Sequence, residues 1–369
     1  MSASRREPLK PGDTIGILGG GQLGRMLVLA AARLGLKCQV FSPDPDSPAF
    51  DVVQNGTCAE YADVEALESF ASEVDVITYE FENVPASAAL VLAARKPMLP
   101  SLTILETTQD RLAEKDFVTK LGIGTAAYAD VTSPQSLRDA IVRLGLPAVL
   151  KTRRFGYDGK GQVLLRPGDD PEAAWASLET RAAILEAFVP FEREVSVIAA
   201  RGADGQVVSY DVTENEHRDH ILKVSKAPAA IPDAVAEEAR RITKTIADAL
   251  GYVGVLGVEM FVVPDAGGPK VLVNEIAPRV HNSGHWTLDG ASVSQFEQHI
   301  RAIAGWPLAD PLRHGTVTMT NLIGNDVDDY PRWLTVPGAT VHLYGKRHAL
   351  PGRKMGHVTV VEAESPREV

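Results

Sequence analysis

Apolar residues keep two different rhythms along this chain. Between residues 13 and 105, short apolar runs alternate with segments whose apolar positions recur every three or four residues. "TIGIL" (14–18), "KCQVF" (37–41) and "VDVITYE" (74–80) predict buried strands. Residues 23–34, "VEALESFA" (64–71) and "ASAALVLAAR" (86–95) predict helices, the last one stopped by Pro97. Strict alternation of this kind predicts a parallel α/β domain.

Residues 106–121 predict one connecting helix. A smaller α/β module follows, with strands "AYADV" (127–131), "AVLK" (148–151) and "QVLLR" (162–166) and helices at 133–144 and near 171–178. From 183 the strands lengthen and alternate, which predicts an antiparallel sheet carrying helices at 233–250 and near 289–303. Strands "VLGVEMFVV" (255–263) and "KVLVNEI" (270–276) lie between those helices, and short strands end the chain. The predicted class is α/β followed by α+β, divided at 1–105, 106–182 and 183–369.

Composition narrows the function. The chain has 369 residues and a net charge of -11, which argues against a nucleic-acid partner. A small anionic ligand needs only a local basic pocket and stays open. Cys38 and Cys58 make no disulfide framework and point to a reducing compartment. "MSASRREPLKPGD" has no apolar core of a secretory signal, and no stretch reaches membrane-span length. The expectation is a cytoplasmic enzyme with no membrane partner.

The turn after the first strand, "GGGQLG", sets Gly19, Gly21 and Gly24 at G-x-G-x-x-G spacing. Such glycines let a ligand approach the backbone, and the following helix offers unpaired N–H groups to an anion. The motif alone does not separate a dinucleotide site from a structural turn. The second strand runs into "FSPDPDSPA", so Asp44 and Asp46 sit in a proline-broken turn, poorly placed to hold a ribose. An NAD-dependent oxidoreductase remains one reading.

A second signal is stronger. Two apolar strands flank "PDAGGP", a hairpin loop by its prolines and glycines. A hairpin symmetric about Gly267 sets Glu259 opposite Glu275, and like charges so placed are destabilising without a cation. Oxygen ligands of this kind suit Mg²⁺ that also binds phosphates, with Asn274 as a further donor. The alternative is that both glutamates face solvent on an open sheet.

Upstream, Lys151 ends a buried strand and is followed by "TRRFGYDGKGQ". A lysine there can act as a point charge on a phosphate, and a glycine loop can close over it. The same loop also reads as a plain hairpin with an Asp158–Gly159 turn. It is not a P-loop, since G-x-x-x-x-G-K-[ST] is absent. Glu186 at a strand end and Glu194 in the next strand can serve an adenine edge and ribose hydroxyls, or be solvated side chains.

Taken with "TYEFENVP", "TQDR", "FEREVSV", "ENEHRDHIL", "NEIAPRVHNSGHWT" and "YGKRHALPGRKMGHV", these segments identify a resemblance over nearly the whole chain. The chain resembles the ATP-grasp superfamily and, within it, the 5-(carboxyamino)imidazole ribonucleotide synthetases. The resemblance implies an ATP-grasp fold behind an N-terminal Rossmann-like domain. It implies ATP-dependent carboxylation of aminoimidazole ribonucleotide with bicarbonate in purine synthesis, giving ADP and phosphate. ATP would meet Arg111, Lys151, the loop Gly156, Tyr157, Asp158, Gly159, Lys160, Gly161 and Gln162, the linker Glu186, Ala187, Phe188 and Val189, and Glu194, His217, Asn274 and Glu275. Glu259 and Glu275 would hold Mg²⁺. Gln22, Glu80, Tyr157, Asp158, Arg279, His281, Asn282, Ser283, Lys346 and Arg353 would surround the ribonucleotide and bicarbonate. Lys151 and Arg279 would be catalytic, and the resemblance carries a homodimer with it. A formate-using glycinamide ribonucleotide transformylase is the rival on the same fold. Leu350 departs from the arginine expected before "PGRK". His281 and His285 each read as a neutral hydrogen-bonding side chain at least as readily as a catalytic one, and Trp286 reads as core.

Overall fold

The computed structural model describes residues 6–156 and 159–362. The first unit runs β1 (Thr14–Leu18), α1 (Gln22–Arg33), β2 (Lys37–Ser42), β3 (Asn55–Cys58), α2 (Val64–Ser72), β4 (Val76–Tyr79) and α3 (Ala86–Ala93). Its sheet is all parallel, in the order β3-β2-β1-β4. Ile15, Ile17 and Leu18 of β1 are buried, as helices on both faces require of a central strand. Strand β3 was not expected: "NGTC" carries no apolar run, because it lies at the sheet edge with only one neighbour.

The connecting helix is two helices, α4 (Leu102–Thr108) and α5 (Arg111–Lys120). Asp110 breaks the run by capping α5, its carboxylate accepting from Leu112 N (3.0 Å). Arg153 holds Asp110 at 2.9 and 2.7 Å, so the cap is tied to the next module.

That module has β5 (Tyr128–Val131), α6 (Pro134–Leu144), β6 (Ala148–Thr152), β7 (Gln162–Leu165), α7 (Pro171–Ser177) and β8 (Ala183–Ala187). Its antiparallel sheet has the order β5-β8-β6-β7. Strand β8, which the sequence places at the head of the last unit, lies between β5 and β6, and Ala183, Ile184 and Leu185 are buried there.

The last unit comprises β9 (Arg193–Arg201), β10 (Val207–Ser209), β11 (Thr213–Arg218), β12 (Ile221–Ala227), α8 (Asp233–Ala249), β13 (Gly254–Val263) and β14 (Lys270–Ala277). It continues through α9 (Thr287–Gly290), α10 (Gln295–Ala304), β15 (Thr316–Ile323), α11 (Tyr330–Trp333), β16 (Ala339–Leu343) and β17 (Lys354–Glu362). One antiparallel sheet runs β14-β13-β9-β11-β12-β15-β17-β16, with β10 paired to β9. The single helix expected near 289–303 is broken because Ser294 caps α10, accepting from Glu297 N at 3.2 Å.

Helix α8 covers one face of this sheet, where Ile242 and Ile246 meet Val197, Leu256 and Val258, joined by Val118 of α5. The other face packs on α10 and, through it, on α1: Phe296 and Ile300 share a core with Leu27, Ile17 and Ile198. The first unit and the large sheet therefore have a common hydrophobic core, while the small sheet keeps its own around Leu137, Leu150 and Leu185.

His299 fastens the shared core. Its Nε2 bonds Thr78 Oγ1 of β4 at 2.8 Å, and its Nδ1 accepts from Val255 N of β13 at 3.1 Å. Burial pushes its pKa from 6.5 down to about 3. The unfolded chain then takes up a proton below 6.5 that the folded chain refuses. The stabilisation from neutral His299 is complete above pH 6.5 and is lost as pH falls from there towards 3. In urea titrations between pH 6.5 and 5, His299→Gln is expected to flatten the fall in stability by up to about 1.4 kcal/mol per pH unit, one proton's worth.

Candidate active site

The hairpin β13–β14 sets the site. Near its tip Val263 faces Lys270 and Phe261 faces Leu272, one residue away from symmetry about Gly267. Past Met260–Val273 the register shifts, and Glu259 then faces Glu275. Asn274 is the extra residue of this bulge. The expected pairing exists, but a bulge creates it. Directly paired residues project to the same side of a sheet, so the two carboxylates share a face.

Lys115 of α5 holds the bulge from behind. This buried ammonium donates to Asn274 O (2.8 Å) and Thr125 Oγ1 (2.9 Å), while Thr125 Oγ1 donates to Val273 O (2.9 Å). Gly124 brings the chain close enough: a Cβ there would lie 2.9 Å from Leu272 Cδ2.

The two glutamates differ in surroundings. The Glu259 side chain is 15% exposed and that of Glu275 is 38%. Burial, then the charge of Glu275, raises the Glu259 pKa. Burial acts against ionised Glu275 too, but Arg111 outweighs it and lowers the pKa, with Nη1 on Glu275 Oε2 at 3.0 Å. Arg111 Nη2 also reaches Gly156 O at 3.3 Å.

Beside them Lys151 of β6 donates to Glu186 Oε2 at 2.9 Å, and Lys115 stands 3.7 Å from the same oxygen. Burial opposes the charge on Glu186, yet Lys151 and then Lys115 hold its pKa down at about 2. The other oxygen of Glu186 is buried without a hydrogen-bond partner. Breaking such a desolvated cluster by removing one member strands the opposite charge. Across the cleft His217 Nδ1 bonds Glu194, and Phe191 stacks on Phe261 at 4.7 Å.

The first unit supplies the far wall. The Glu80 carboxylate takes Gly21 N (2.9 Å) and Gly24 N (3.2 Å), filling the N–H cradle of the glycine turn. A Cβ on Gly19 would lie 2.5 Å from Glu80 Cγ, so glycine there makes room for an internal carboxylate. A dinucleotide pyrophosphate would need the same N–H groups, which removes the basis of the NAD reading. Glu82 grips Arg279 through both oxygens, one at 3.0 Å from Nη2. Asn282 exchanges amide hydrogen bonds with Asn321 of β15 at 3.0 and 2.8 Å. Lys346 Nζ bonds Lys354 O at 2.8 Å, and Arg353 Nη1 reaches His348 O at 3.2 Å.

These walls enclose a cleft of about 940 Å³ where the three units meet. Every site residue nominated from the sequence lines it except Gly161 and Ser283, while Tyr157 and Asp158 lie outside the described residues. Ser283 is fully buried and turned away, towards Ser196 (2.7 Å) and His281. Trp286 and His285 are both buried, with His285 Nδ1 on Gln295 at 3.0 Å. Leu350 lines the cleft, 55% exposed. The sequence reading missed Lys115, Glu82 and Asn321. Lys115 looks like a solvated lysine, while Glu82 lies inside the quoted "TYEFENVP" and its alternation with Glu80 was the available signal.

Comparison with known proteins agrees with this layout. Residues 13–109 match the ribonucleotide synthetase preATP-grasp domain, 116–296 the ATP-grasp domain, and 317–367 the phosphoribosylaminoimidazole carboxylase C-terminal domain. The N5-carboxyaminoimidazole ribonucleotide synthase of Brucella melitensis biotype 1 is 51% identical over 356 residues, covering 96% of this chain and 98% of that protein. A solved ADP complex of an N5-carboxyaminoimidazole ribonucleotide synthetase superposes with a TM-score of 0.93 at 41% identity, over 98% of this chain and 95% of the other. The Aspergillus clavatus N5-carboxyaminoimidazole synthase, solved with ADP and 5-aminoimidazole ribonucleotide, gives 0.88 at 33% identity over 96% and 94%. The chain belongs to the N5-carboxyaminoimidazole ribonucleotide synthase family and is an ATP-dependent ligase with the ATP-grasp fold.

Proposed function

We propose that this chain joins bicarbonate to the exocyclic amine of 5-aminoimidazole ribonucleotide at the expense of ATP. The observation that carries the reading is one cleft with a carboxylate pair and Lys151 on one side and Glu80, Arg279 and Lys346 on the other. No feature of that cleft favours formate over bicarbonate as the carbon source, and the relatives bear the name of the carboxylating enzyme.

The carboxylate pair fits a hard divalent cation. Burial and the neighbouring charge disfavour ionised Glu259, and a cation would relieve that penalty. Two carboxylates and the Asn274 amide are oxygen donors of the Mg²⁺ type. Among the described residues no group of three His, Cys, Asp or Glu is arranged for a metal, so phosphate oxygens and water belong in the set. Mg²⁺ held by Glu259 and Glu275 would neutralise charge on the triphosphate.

The remaining chemistry belongs to the chain. The 186–189 linker would take the adenine edge, and Glu194 with His217 the ribose. Lys151, anchored by Glu186, would neutralise phosphate charge, with Arg111 beside it. A bicarbonate oxygen attacks the γ-phosphorus, the bond to ADP breaks, and carboxyphosphate results. The amine attacks the carboxyl carbon, phosphate leaves and the amine gives up a proton. Arg279, fixed by Glu82, would hold the bicarbonate-derived oxygens. Glu80, His281 and Asn282 would border the base, and Lys346 and Arg353 the phosphate. Residues 156–162 would cover the site and keep water from carboxyphosphate.

Three units divided by their sheets, a homodimeric state measurable by sedimentation, and a cytoplasmic location complete the reading. Among the described residues no helix is long and apolar enough to cross a membrane.

Inorganic phosphate release is expected only when ATP, bicarbonate and the ribonucleotide are all present. Glu275→Gln is expected to lower Mg²⁺-dependent phosphate release at least about 100-fold while circular dichroism stays unchanged. Normal turnover in that variant would remove the metal assignment. Lys346→Ala is expected to raise KM for the ribonucleotide about tenfold, the loss of one charge-assisted contact, with KM for ATP unchanged. Equal KM values for the ribonucleotide in variant and parent would take Lys346 out of the phosphate site.

A further inference from the structure

A buried chain of polar side chains crosses β12, β11 and β9 on the face of the large sheet that carries Glu259. Ser225 Oγ donates to Asn215 Oδ1 (2.8 Å), and Asn215 Nδ2 donates to Ser196 Oγ (3.0 Å). Ser196 Oγ meets Ser283 Oγ at 2.7 Å, and Ser283 Oγ meets His281 Nδ1 at 2.9 Å. His281 Nε2 ends the chain, 3.1 Å from Glu259 Oε1. Ser196, Ser225 and Ser283 are fully buried, and Asn215 nearly so.

The direction of the chain is read from its His281 end. Asn215 Nδ2 donates to Ser196 Oγ, which leaves that hydroxyl its proton and a second acceptor site, so the Ser196–Ser283 bond takes its direction from the His281 end, where Ser283 spends its own proton. Ser283 then passes its proton to His281 Nδ1. The backbone N–H of Ser283 points at the same nitrogen from 3.3 Å and can only donate, so Nδ1 carries the ring's one lone pair and the two donors share it. The imidazole proton therefore sits on Nε2 and is donated to Glu259.

The ring has no freedom to do otherwise. Gln295 clamps the main chain of His281 on both sides, Oε1 taking its N–H (2.9 Å) and Nε2 its carbonyl (2.7 Å). Gly257, two residues before Glu259 on the same strand face, gives the ring its space: a Cβ there would lie 2.9 Å from His281 Cβ.

We infer that Ser283, Ser196 and Asn215 are positioning residues that lock His281 as an Nε2–H donor, whose task is to aim the Glu259 carboxylate at the bound cation. Neither ring nitrogen keeps a free lone pair for substrate, so His281 is no general base in this arrangement. The inference rests on Glu259 as a metal ligand. Hydrogen-bonding partners of ligands typically change metal affinity about tenfold or more when removed.

The test joins spectroscopy to metal binding. In ¹⁵N-histidine-labelled protein, with the His281 signals assigned by their loss in His281→Gln, the Nε2–H tautomer is expected. Ser283→Ala and Ser196→Ala are expected to melt near the parent temperature and bind ADP alone with parent affinity. Both should bind Mn²⁺, measured by electron paramagnetic resonance with saturating ADP, about tenfold more weakly. An Nδ1–H tautomer in the parent protein would overturn the inference whatever the variants do. So would parent-like Mn²⁺ affinity in both serine variants, provided Glu259→Gln loses it. Parent-like affinity in Glu259→Gln would instead overturn the metal reading on which the inference stands.

Discussion

Repulsion between Glu259 and Glu275 organises much of what surrounds them. Two like charges directly across a strand pair are tolerated only where opposite charge is supplied. The protein answers part of it from within: Arg111 brings opposite charge to Glu275, and neutral His281 lends Glu259 a hydrogen bond. The supply is incomplete, since Glu259 is still held towards its protonated form. That shortfall is what a divalent ion, arriving with a triphosphate, would meet. The bulge at Asn274 is what brings the carboxylates opposite each other, and the buried ammonium of Lys115 bonds its carbonyl.

A similar economy explains the glycine turn. The N–H groups at the start of α1 attract an anion, and Glu80 from the end of β4 provides one. The turn that in other proteins receives a pyrophosphate here fixes a carboxylate at the edge of the cleft. Glu82, two residues on, does the converse and fixes the cation Arg279 from the large sheet. Acidic residues of the first unit thus set both the anionic and the cationic features of that wall.

Much of the fold was legible because the signals were local and periodic. The apolar runs marked β1, β2 and β4, and the helix expected at 133–144 is α6. What escaped depends on distant partners. Strand β3 has no apolar pattern because an edge need not bury both faces. The break before α5 is decided by Asp110 together with Arg153, far along the chain. The carboxylate pair was readable from hairpin symmetry although the symmetry fails at the tip, since the bulge restores it. Lys115 was not readable: on sequence it is one more charged residue of an ordinary helix, and only its carbonyl and carboxylate neighbours make it a buried strut. Ser283, which the resemblance places at the ligand, turns its hydroxyl inward to Ser196 and His281.

The separate core of the small sheet has a mechanical consequence. The first unit and the large sheet share one core and form a stator that carries Glu259, Glu275, Glu80 and Arg279. Lys151 and Glu186 ride on an arm with its own packing. Were that arm to swing, Lys151 and Glu186 would travel as a unit, and the polar contacts that cross to α5 would have to give: Lys115 to Glu186, Arg153 to Asp110 and Arg111 to Gly156 O. Those few polar contacts would then work as the latch between an empty and a loaded enzyme, and their combined strength would govern how readily the jaw reopens.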